Sequence, residues 1–367
     1  MWSIFWISLG VMCAINGALA VLMVLADATI ANYGRVKLTV NGKRTLDVEG
    51  GRPLLATLKD EQIFIPSACG GRGSCGLCKC KVLSGAGDPV ATELPWLTKE
   101  ERANRVRLSC QVKVKRDLAL EIPEELFNVR QYRTRVASLR DLTHDIKELR
   151  LQLLDPDRMD YTAGQFVQVE VPAYELTDEP VYRAYSMSSE PAETGTVELE
   201  IRYVPQGVCT TYVHRHLKEG DEVTINGPYG EFHLRPGDAP VICIAGGSGM
   251  APIKSILNDM KHHGIRRKTR YFFGAKSKRD LFLVDEMRAL ETALPDFRFI
   301  PALSEPKPED HWDGETGLIT QVVDRHVPDA SGMEAYLCGS PLMIDACIEV
   351  LKRKGMPVGN IFYDKFA

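Results

Sequence analysis

The spacing of apolar positions changes character several times along the chain, and each change predicts a different element. Residues Trp2 to Ala26 run twenty-five positions without a charge, Asp27 carrying the first charged side chain. Such a run exceeds the roughly 20 helical residues needed to cross a bilayer, so it predicts a single-pass transmembrane anchor. The rival is a secretory leader cleaved after Ala18-Leu-Ala20 or Ala26-Asp27-Ala28, but leaders open on Lys or Arg and none precedes Asp27. Arg35, Lys37, Lys43 and Arg44 follow the span, which by the positive-inside rule places the bulk of the chain in the cytoplasm.

From Arg35 to about Phe127 short segments alternate apolar and polar residues, as half-buried strands do. Segments 37–40 and 45–48 flank Asn41-Gly42, a strong hairpin signal. Leu54, Leu55 and Leu58 recur at helical spacing behind Pro53, which suits a first helical turn. Strands at 80–83 and 106–114 complete a small mixed sheet. From Arg133 to about Arg235, six alternating strands (134–139, 148–153, 166–171, 183–187, 197–203, 222–225) separated by turn signals predict an antiparallel barrel. From Pro240, strands at 241–245, 271–273, 298–300, 335–338 and 361–363 interleave with helices at 253–261, 284–293, 318–325 and 342–354. Ile253, Ile256, Leu257 and Met260 form one covering stripe, so this part is a parallel α/β domain. The expected organisation is an anchor over 1–34 and domains over 35–128, 129–236 and 237–367.

Length and composition change this picture little: 367 residues, 44% hydrophobic, allow two or three ordinary domains with a sizeable core. The net charge of −4 leaves no basic footprint for nucleic acid. The ten cysteines matter more. Cys69-Gly-Gly-Arg-Gly-Ser-Cys75-Gly-Leu-Cys78 is answered thirty-two residues later by Cys110. Three thiolates five and two residues apart on a glycine-rich loop, with a distant fourth, suit a [2Fe–2S] cluster. Gly70, Gly71, Gly73 and Gly76 let the backbone turn its amides toward such an anionic centre. Zinc ribbons show two Cys-x-x-Cys knuckles instead, and Cys110 has no partner two residues away. Cys80, two residues past Cys78, is either an alternative ligand or an inward-facing strand residue, and the other cysteines read as packed small hydrophobes.

Two motifs lie on the barrel. Arg183-Ala184-Tyr185-Ser186 offers a forked cation for a pyrophosphate, an aromatic face for a flavin ring and a hydroxyl for its N5. Gly207-Val-Cys209-Thr210-Thr211 precedes a helical stretch whose free N–H groups make a second phosphate cradle. Read alone, the first is an ordinary strand, and Gly227-Pro-Tyr-Gly230 only a turn. In the α/β part, Gly246-Gly247-Ser-Gly249-Met-Ala-Pro252 follows the first strand and Cys338-Gly339-Ser-Pro341 a later one, each opening a helix. Both loops should fall on one edge of the sheet, where nucleotides bind. Lys276, Lys278 and Arg279 either hold a 2′-phosphate or are a solvated basic loop, which leaves NADPH beside NADH. His262-His263 lacks further ligands nearby, and His214 and His216 decorate a helix.

The Cys-x5-Cys-x2-Cys loop with a distant Leu-Ser-Cys-Gln-Val resembles β-grasp ferredoxins of adrenodoxin-like spacing. The Arg-x-Tyr-Ser, Gly-Gly-x-Gly-x-x-Pro and Cys-Gly-x-Pro motifs, in this order, resemble the ferredoxin–NADP reductase superfamily. That resemblance implies FAD on the barrel, NADH on the α/β domain, and a near-terminal aromatic, here Phe366, over the flavin ring. With the anchor, Thr-Glu-Leu at 92–94, Arg-Ala-Tyr-Ser-Met at 183–187 and Ala302 to Trp312, the whole chain resembles the F subunit of sodium-translocating NADH:quinone oxidoreductases. It departs from that pattern in the short segment between Pro172 and Arg183 and before Thr210. The resemblance implies a bacterial inner-membrane protein that passes a hydride from NADH to FAD and single electrons through the cluster to membrane subunits of a respiratory complex, or another acceptor. A reductase component of an oxygenase, and a membrane-tethered ferredoxin relay with an inactive reductase half, are the alternatives.

Overall fold

The computed structural model describes the backbone of residues 2–30 and 33–366 and the side chains of 5–24 and 33–366. The side chains of the Ala26–Ala28 cleavage reading and the terminal Ala367 lie outside the described residues. The chain divides into two compact units, Met1–Asn128 and Val129–Ala367. Helix α1 (Trp2–Ile30) is continuous, four residues longer than its apolar run, and none of Phe5–Val24 is buried against protein.

The rest of the first unit is a five-stranded sheet, built from β1 (Arg35–Val40), β2 (Arg44–Glu49), β3 (Lys79–Ser84), β4 (Val106–Leu108) and β5 (Leu118–Glu121) in the order β2-β1-β5-β3-β4. Helix α2 (Leu54–Asp60) packs Leu54 and Leu58 into the same core as Val36, Leu38 and Val40. The hairpin turns at Asn41 and Gly42 with φ of 52° and 63°. Asn41 also exchanges two side-chain hydrogen bonds with the Ile122 backbone, which ties the turn to the end of β5.

One expectation fails here, and two elements have no signal in the periodicity. The strand expected over 106–114 ends at Leu108, because the Gln111 N–H folds back onto the Leu108 carbonyl and swings Cys110 into a turn. Strand β5, too short to show a pattern, pairs in parallel with the distant β1. A short helix α3 (Lys99–Ala103), closed by a Thr98/Glu101 capping box, was likewise not apparent from periodicity.

In the second unit β6 (Arg130–Asp141), β7 (Ile146–Asp155), β8 (Phe166–Val171), β9 (Val181–Ser186), β10 (Thr196–Arg202) and β11 (Glu222–Tyr229) form an antiparallel sheet ordered β10-β7-β6-β11-β8-β9. Its edges meet at a Met187–Leu199 bridge, and Leu149, Leu151, Val167, Leu199 and Ile201 fill the inside. Helix α4 (Val208–Arg215) follows β10.

The remaining chain alternates strand and helix as expected. The parallel sheet is ordered β15-β14-β13-β12-β16-β17, from β12 (Val241–Gly246), β13 (Thr269–Ala275), β14 (Phe297–Leu303), β15 (Glu315–Thr316), β16 (Glu334–Gly339) and β17 (Ile361–Lys365). Helices α5 (Met250–His262) and α6 (Val284–Ala293) cover one face, α7 (Ile319–His326) and α8 (Pro341–Arg353) the other. The chain moves outward from β12 to β15 and then returns to β16 on the other side of β12, which makes β12/β16 the switch point where such sheets bind ligands.

Among the described residues of the first unit, the Arg107–Glu93 ion pair is buried. Arg107 of β4 donates to both Glu93 carboxylate oxygens at 2.6–3.2 Å, and Glu93 also accepts from the Leu108 and Val90 N–H groups. Burial pushes the Glu93 carboxyl up, but these donors outweigh it and hold it below the usual carboxylate range. Arg107→Met, which strands that carboxylate, should destabilise the first unit by about 3–5 kcal/mol in chemical denaturation. A loss below about 1 kcal/mol would show that the pair does not hold the unit together.

Candidate functional site

Cys69, Cys75 and Cys78 lie on the loop between α2 and β3, and Cys110 on the turn after β4. The four sulfurs stand as two pairs. Cys75 donates to Cys69 at 3.4 Å and holds its thiol well below the ordinary range, and Cys78 does the same for Cys110. Among the described residues no three His, Cys, Asp or Glu side chains converge on a single ion. Paired thiols suit a binuclear cluster, with two cysteines for each iron, better than one tetrahedral zinc. The loop glycines have φ between 66° and 87°. A Cβ at Gly76 would come within 2.8 Å of the Trp96 ring, so the loop can be covered there only because the residue is glycine. Cys80 faces the core from β3, opposite Arg107, and burial pushes its thiol up to about 12.

On the barrel, β9 carries Arg183, Ala184, Tyr185 and Ser186, and the start of α4 carries Cys209 and Thr210 after Gly207. The Tyr185 hydroxyl is bonded to Cys209, which joins the two motifs. The Arg183 guanidinium donates to the Tyr182 carbonyl at 2.8 Å. The Thr210 hydroxyl is engaged with the Val204 backbone, accepting its N–H at 3.1 Å, so it clasps the loop rather than facing a ligand. Its neighbour Thr211 is buried with no partner for Oγ1, an orphaned hydroxyl at a helix start that fits a phosphate better. The Pro172–Arg183 segment folds onto α4: Tyr174 bonds the Val208 carbonyl and sets its ring 5.5 Å from Tyr212 and 5.3 Å from His216. His214 is no surface decoration, since its Nε2 pairs with the Ile201 carbonyl at 2.9 Å.

In the parallel sheet Ala245 lies opposite Cys338, so the glycine loop after β12 and the Cys338-Gly339 loop leave side by side. They touch through bare backbone. A Cβ at Gly249 would stand 2.3 Å from the Cys338 carbonyl oxygen and 3.0 Å from the Gly339 nitrogen, and one at Gly246 3.2 Å from the Gly274 carbonyl. Helix α5 begins at Met250, three residues earlier than its stripe implies, which buries Pro252 in the first turn. Such a helix start beside exposed amides fits a pyrophosphate.

Strand β17 brings the C-terminus to the same place. Asp364 pairs in register with Cys338, and the Phe366 N–H donates to the Gly339 carbonyl at 2.9 Å. Burial pushes the Asp364 carboxyl up to about 6, against a hydrogen bond from Ser186. Ser186, Cys338, Asp364 and Phe366 are thereby gathered where barrel and parallel sheet meet. Asp364 was missed in the sequence, where its only signal is its place two residues before Phe366. Of the basic trio, Lys278 Nζ donates to the Asp310 carbonyl at 3.0 Å and Arg279 stays exposed beside Asp280. His262 and His263 are solvent-facing, His262 3.0 Å from Glu190.

Comparison with known proteins matches three successive family models: a 2Fe-2S iron-sulfur cluster binding domain over residues 38–115, an oxidoreductase FAD-binding domain over 133–234 and an oxidoreductase NAD-binding domain over 243–349. The F subunit of the Na(+)-translocating NADH-quinone reductase of Neisseria meningitidis serogroup B is 38% identical, covering 95% of this chain and 96% of its own. That of Pseudomonas aeruginosa is 35% identical over 98% of both. Among solved structures, the Amycolatopsis cytochrome P450 reductase GcoB superposes with a TM-score of 0.73 at 30% identity, over 90% of this chain and 98% of that one. The ferredoxin reductase in carbazole 1,9a-dioxygenase reaches 0.70 at 26%, over 91% and 98%.

The Gly249–Cys338 approach leaves no room for a methyl group. Gly249→Ala should therefore destabilise the second unit by roughly 1–3 kcal/mol, the usual cost of overpacking, read as a fall in Tm. An unchanged Tm would show that the two loops part easily.

Proposed function

We infer function from the family first: this chain belongs to the F-subunit family of the Na(+)-translocating NADH-quinone reductases. It is an NADH-dependent oxidoreductase with FAD and a [2Fe–2S] cluster, anchored to a membrane and working with other membrane subunits. Bound together, these groups supply hydride acceptance, separation of an electron pair and one-electron outflow. The observation that carries the reading is the meeting of Ser186, Cys338, Asp364 and Phe366, one residue from the flavin strand and three from the nucleotide sheet.

Residue roles follow from that placement. Arg183 and the start of α4, with the free Thr211 hydroxyl and the backbone of Gly207, Cys209 and Thr210, would hold the flavin's phosphates. Ala184 and Tyr185 would lie along the ring, Ser186, its proton given to Asp364, would accept near its N5, and Phe366 would cover it. Gly246, Gly247, Gly249 and Pro252 cradle the nucleotide's pyrophosphate, and Cys338 and Gly339 bound the nicotinamide. Cys69, Cys75, Cys78 and Cys110 ligate the cluster in two pairs. Asp364 is a positioning residue: as a carboxylate it holds the Ser186 hydroxyl in one orientation. The basic residues Arg35, Lys37, Lys43 and Arg44 after α1 support a single pass in the bacterial inner membrane with the bulk of the chain on the cytoplasmic side. The reductases of oxygenase systems share the module layout, but the F subunits match at 35–38% identity over nearly the whole chain against 26–30%. The gathered residues speak against an inactive reductase half.

Anaerobic addition of NADH to the purified chain should bleach the flavin and then raise the cluster's paramagnetic signal. In Cys75→Ser the bleaching should persist while transfer to one-electron acceptors beyond the cluster is lost. Loss of both would break the modular assignment, and protein without flavin would break the enzyme reading.

The pH dependence has a definite sign. Asp364 is neutral below about 6 and ionised above it, so the rate of bleaching should rise as pH passes up through about 6 and then level. Asp364→Asn should flatten this step and slow the plateau by roughly ten- to a hundredfold, the worth of one charge-assisted hydrogen bond. An unaltered profile in that variant would remove Asp364 from the site.

A further inference from the structure

Gln111, the residue after the fourth cysteine, is placed by three separate contacts. Its Nε2 donates toward Cys110 Sγ at 3.5 Å, within reach for sulfur. Its Oε1 accepts from the Thr92 hydroxyl at 2.7 Å. Its amide also lies on the cysteine loop at Gly73, where a Cβ would come within 2.8 Å of Nε2 and 2.9 Å of Cδ. Thr92 is in turn held by its neighbour Glu93, fully buried and paired with Arg107.

We propose that Gln111, oriented by Thr92, is a tuning residue that raises the reduction potential of the centre held by Cys69, Cys75, Cys78 and Cys110. The inference rests on the cluster reading given above. A primary amide has one donor end and one acceptor end, and a ligating cysteine is a thiolate that only accepts. With Oε1 turned inward, two electron-rich atoms would face each other. The Thr92 hydroxyl, by donating to Oε1, fixes the favourable orientation and keeps Nε2 on the sulfur. Reduction adds negative charge to the centre and its sulfurs, so a donor at Cys110 stabilises the reduced form more than the oxidised one. Gly73 leaves the space in which the amide lies, and the buried Arg107–Glu93 pair keeps the Thr92 backbone in register with it.

The test is a redox titration of the full-length holoprotein followed by electron paramagnetic resonance, with the flavin midpoint in the same sample as reference. Gln111→Leu should move the cluster midpoint to lower potential, leave the flavin midpoint in place and leave NADH-driven flavin bleaching intact. Thr92→Val should give a smaller shift in the same direction, and Thr92→Ser, which keeps the hydroxyl, should restore the wild-type value. A fully loaded Gln111→Leu protein with an unmoved or raised midpoint would overturn the proposal. Should that variant fail to load its cluster, the Thr92 pair decides alone: equal midpoints in Thr92→Val and Thr92→Ser overturn it, and a shift confined to valine supports it. A wild-type chain that loads no cluster at all would overturn the proposed function, and this inference with it.

Discussion

A contact that admits no side chain sets the geometry of the larger unit. At the switch point of the parallel sheet the Gly249 backbone lies against the Cys338 carbonyl so closely that a Cβ would stand 2.3 Å away. Neighbouring parallel strands are about 4.8 Å apart, so loops leaving β12 and β16 at the same level would clash unless one is stripped of side chains. Helix α5 then departs over one face and α8 over the other. The position of β17 beside β16 follows from the same arrangement, and it delivers Asp364 opposite Cys338 and Phe366 onto Gly339. The gathering of Cys338, Asp364 and Phe366 is thus a consequence of sheet order.

What could be read from the sequence was local. Cysteine spacing, glycine loops, the Asn41-Gly42 turn and the shift from alternating strands to alternating strand and helix are each written within a few residues of chain. The misread strand over 106–114 shows where such reading ends. Val106, Leu108, Val112 and Val114 keep an alternating pattern, but only the first part pairs as β4. Val112 and Val114 are buried because their backbones bond Leu54 and Arg52 at the start of α2, across the turn that carries Cys110. Periodicity reports burial and is silent on the partner. The same limit hid β5, Asp364 and the free hydroxyl of Thr211, whose roles depend on what is brought beside them from far along the chain.

In the first unit the segment around 87–97 has little regular structure of its own, and its position is imposed by charge. Glu93 has its carboxylate filled by Arg107 and two backbone donors, with Arg107 also donating to the Gly87 carbonyl. A buried pair of this kind adds little net stability over an apolar substitute, since desolvation offsets its attraction. It does fix register, because no other arrangement satisfies both partners. Register is what matters for Trp96, which covers Gly76, and for Thr92, which meets Gln111.

The same logic governs the seam between barrel and parallel sheet, where an apolar contact would be the simpler way to hold two layers together. The outer face of β10 instead carries Glu198, Glu200 and Arg202. Glu198 takes the ammonium of the buried Lys254 on α5, and Arg202 bonds Asp145 at 2.8 Å while lying under Gly247 of the nucleotide loop. Glu200 is buried with neither carboxylate oxygen hydrogen-bonded, and burial pushes its carboxyl well up, against the pull of the Lys254 charge. An interface of this composition is poor adhesive, because each ion pair is offset by the water it loses. It is sensitive to displacement, however, since sliding β10 past α5 by one residue would turn these groups away and leave Lys254 only Glu286, 3.6 Å off, in place of Glu198 at 2.5 Å. Strand β9 must sit at a fixed height against the β12/β16 switch point for Ser186 to reach Asp364, and a polar seam enforces that height where an apolar one would tolerate slippage.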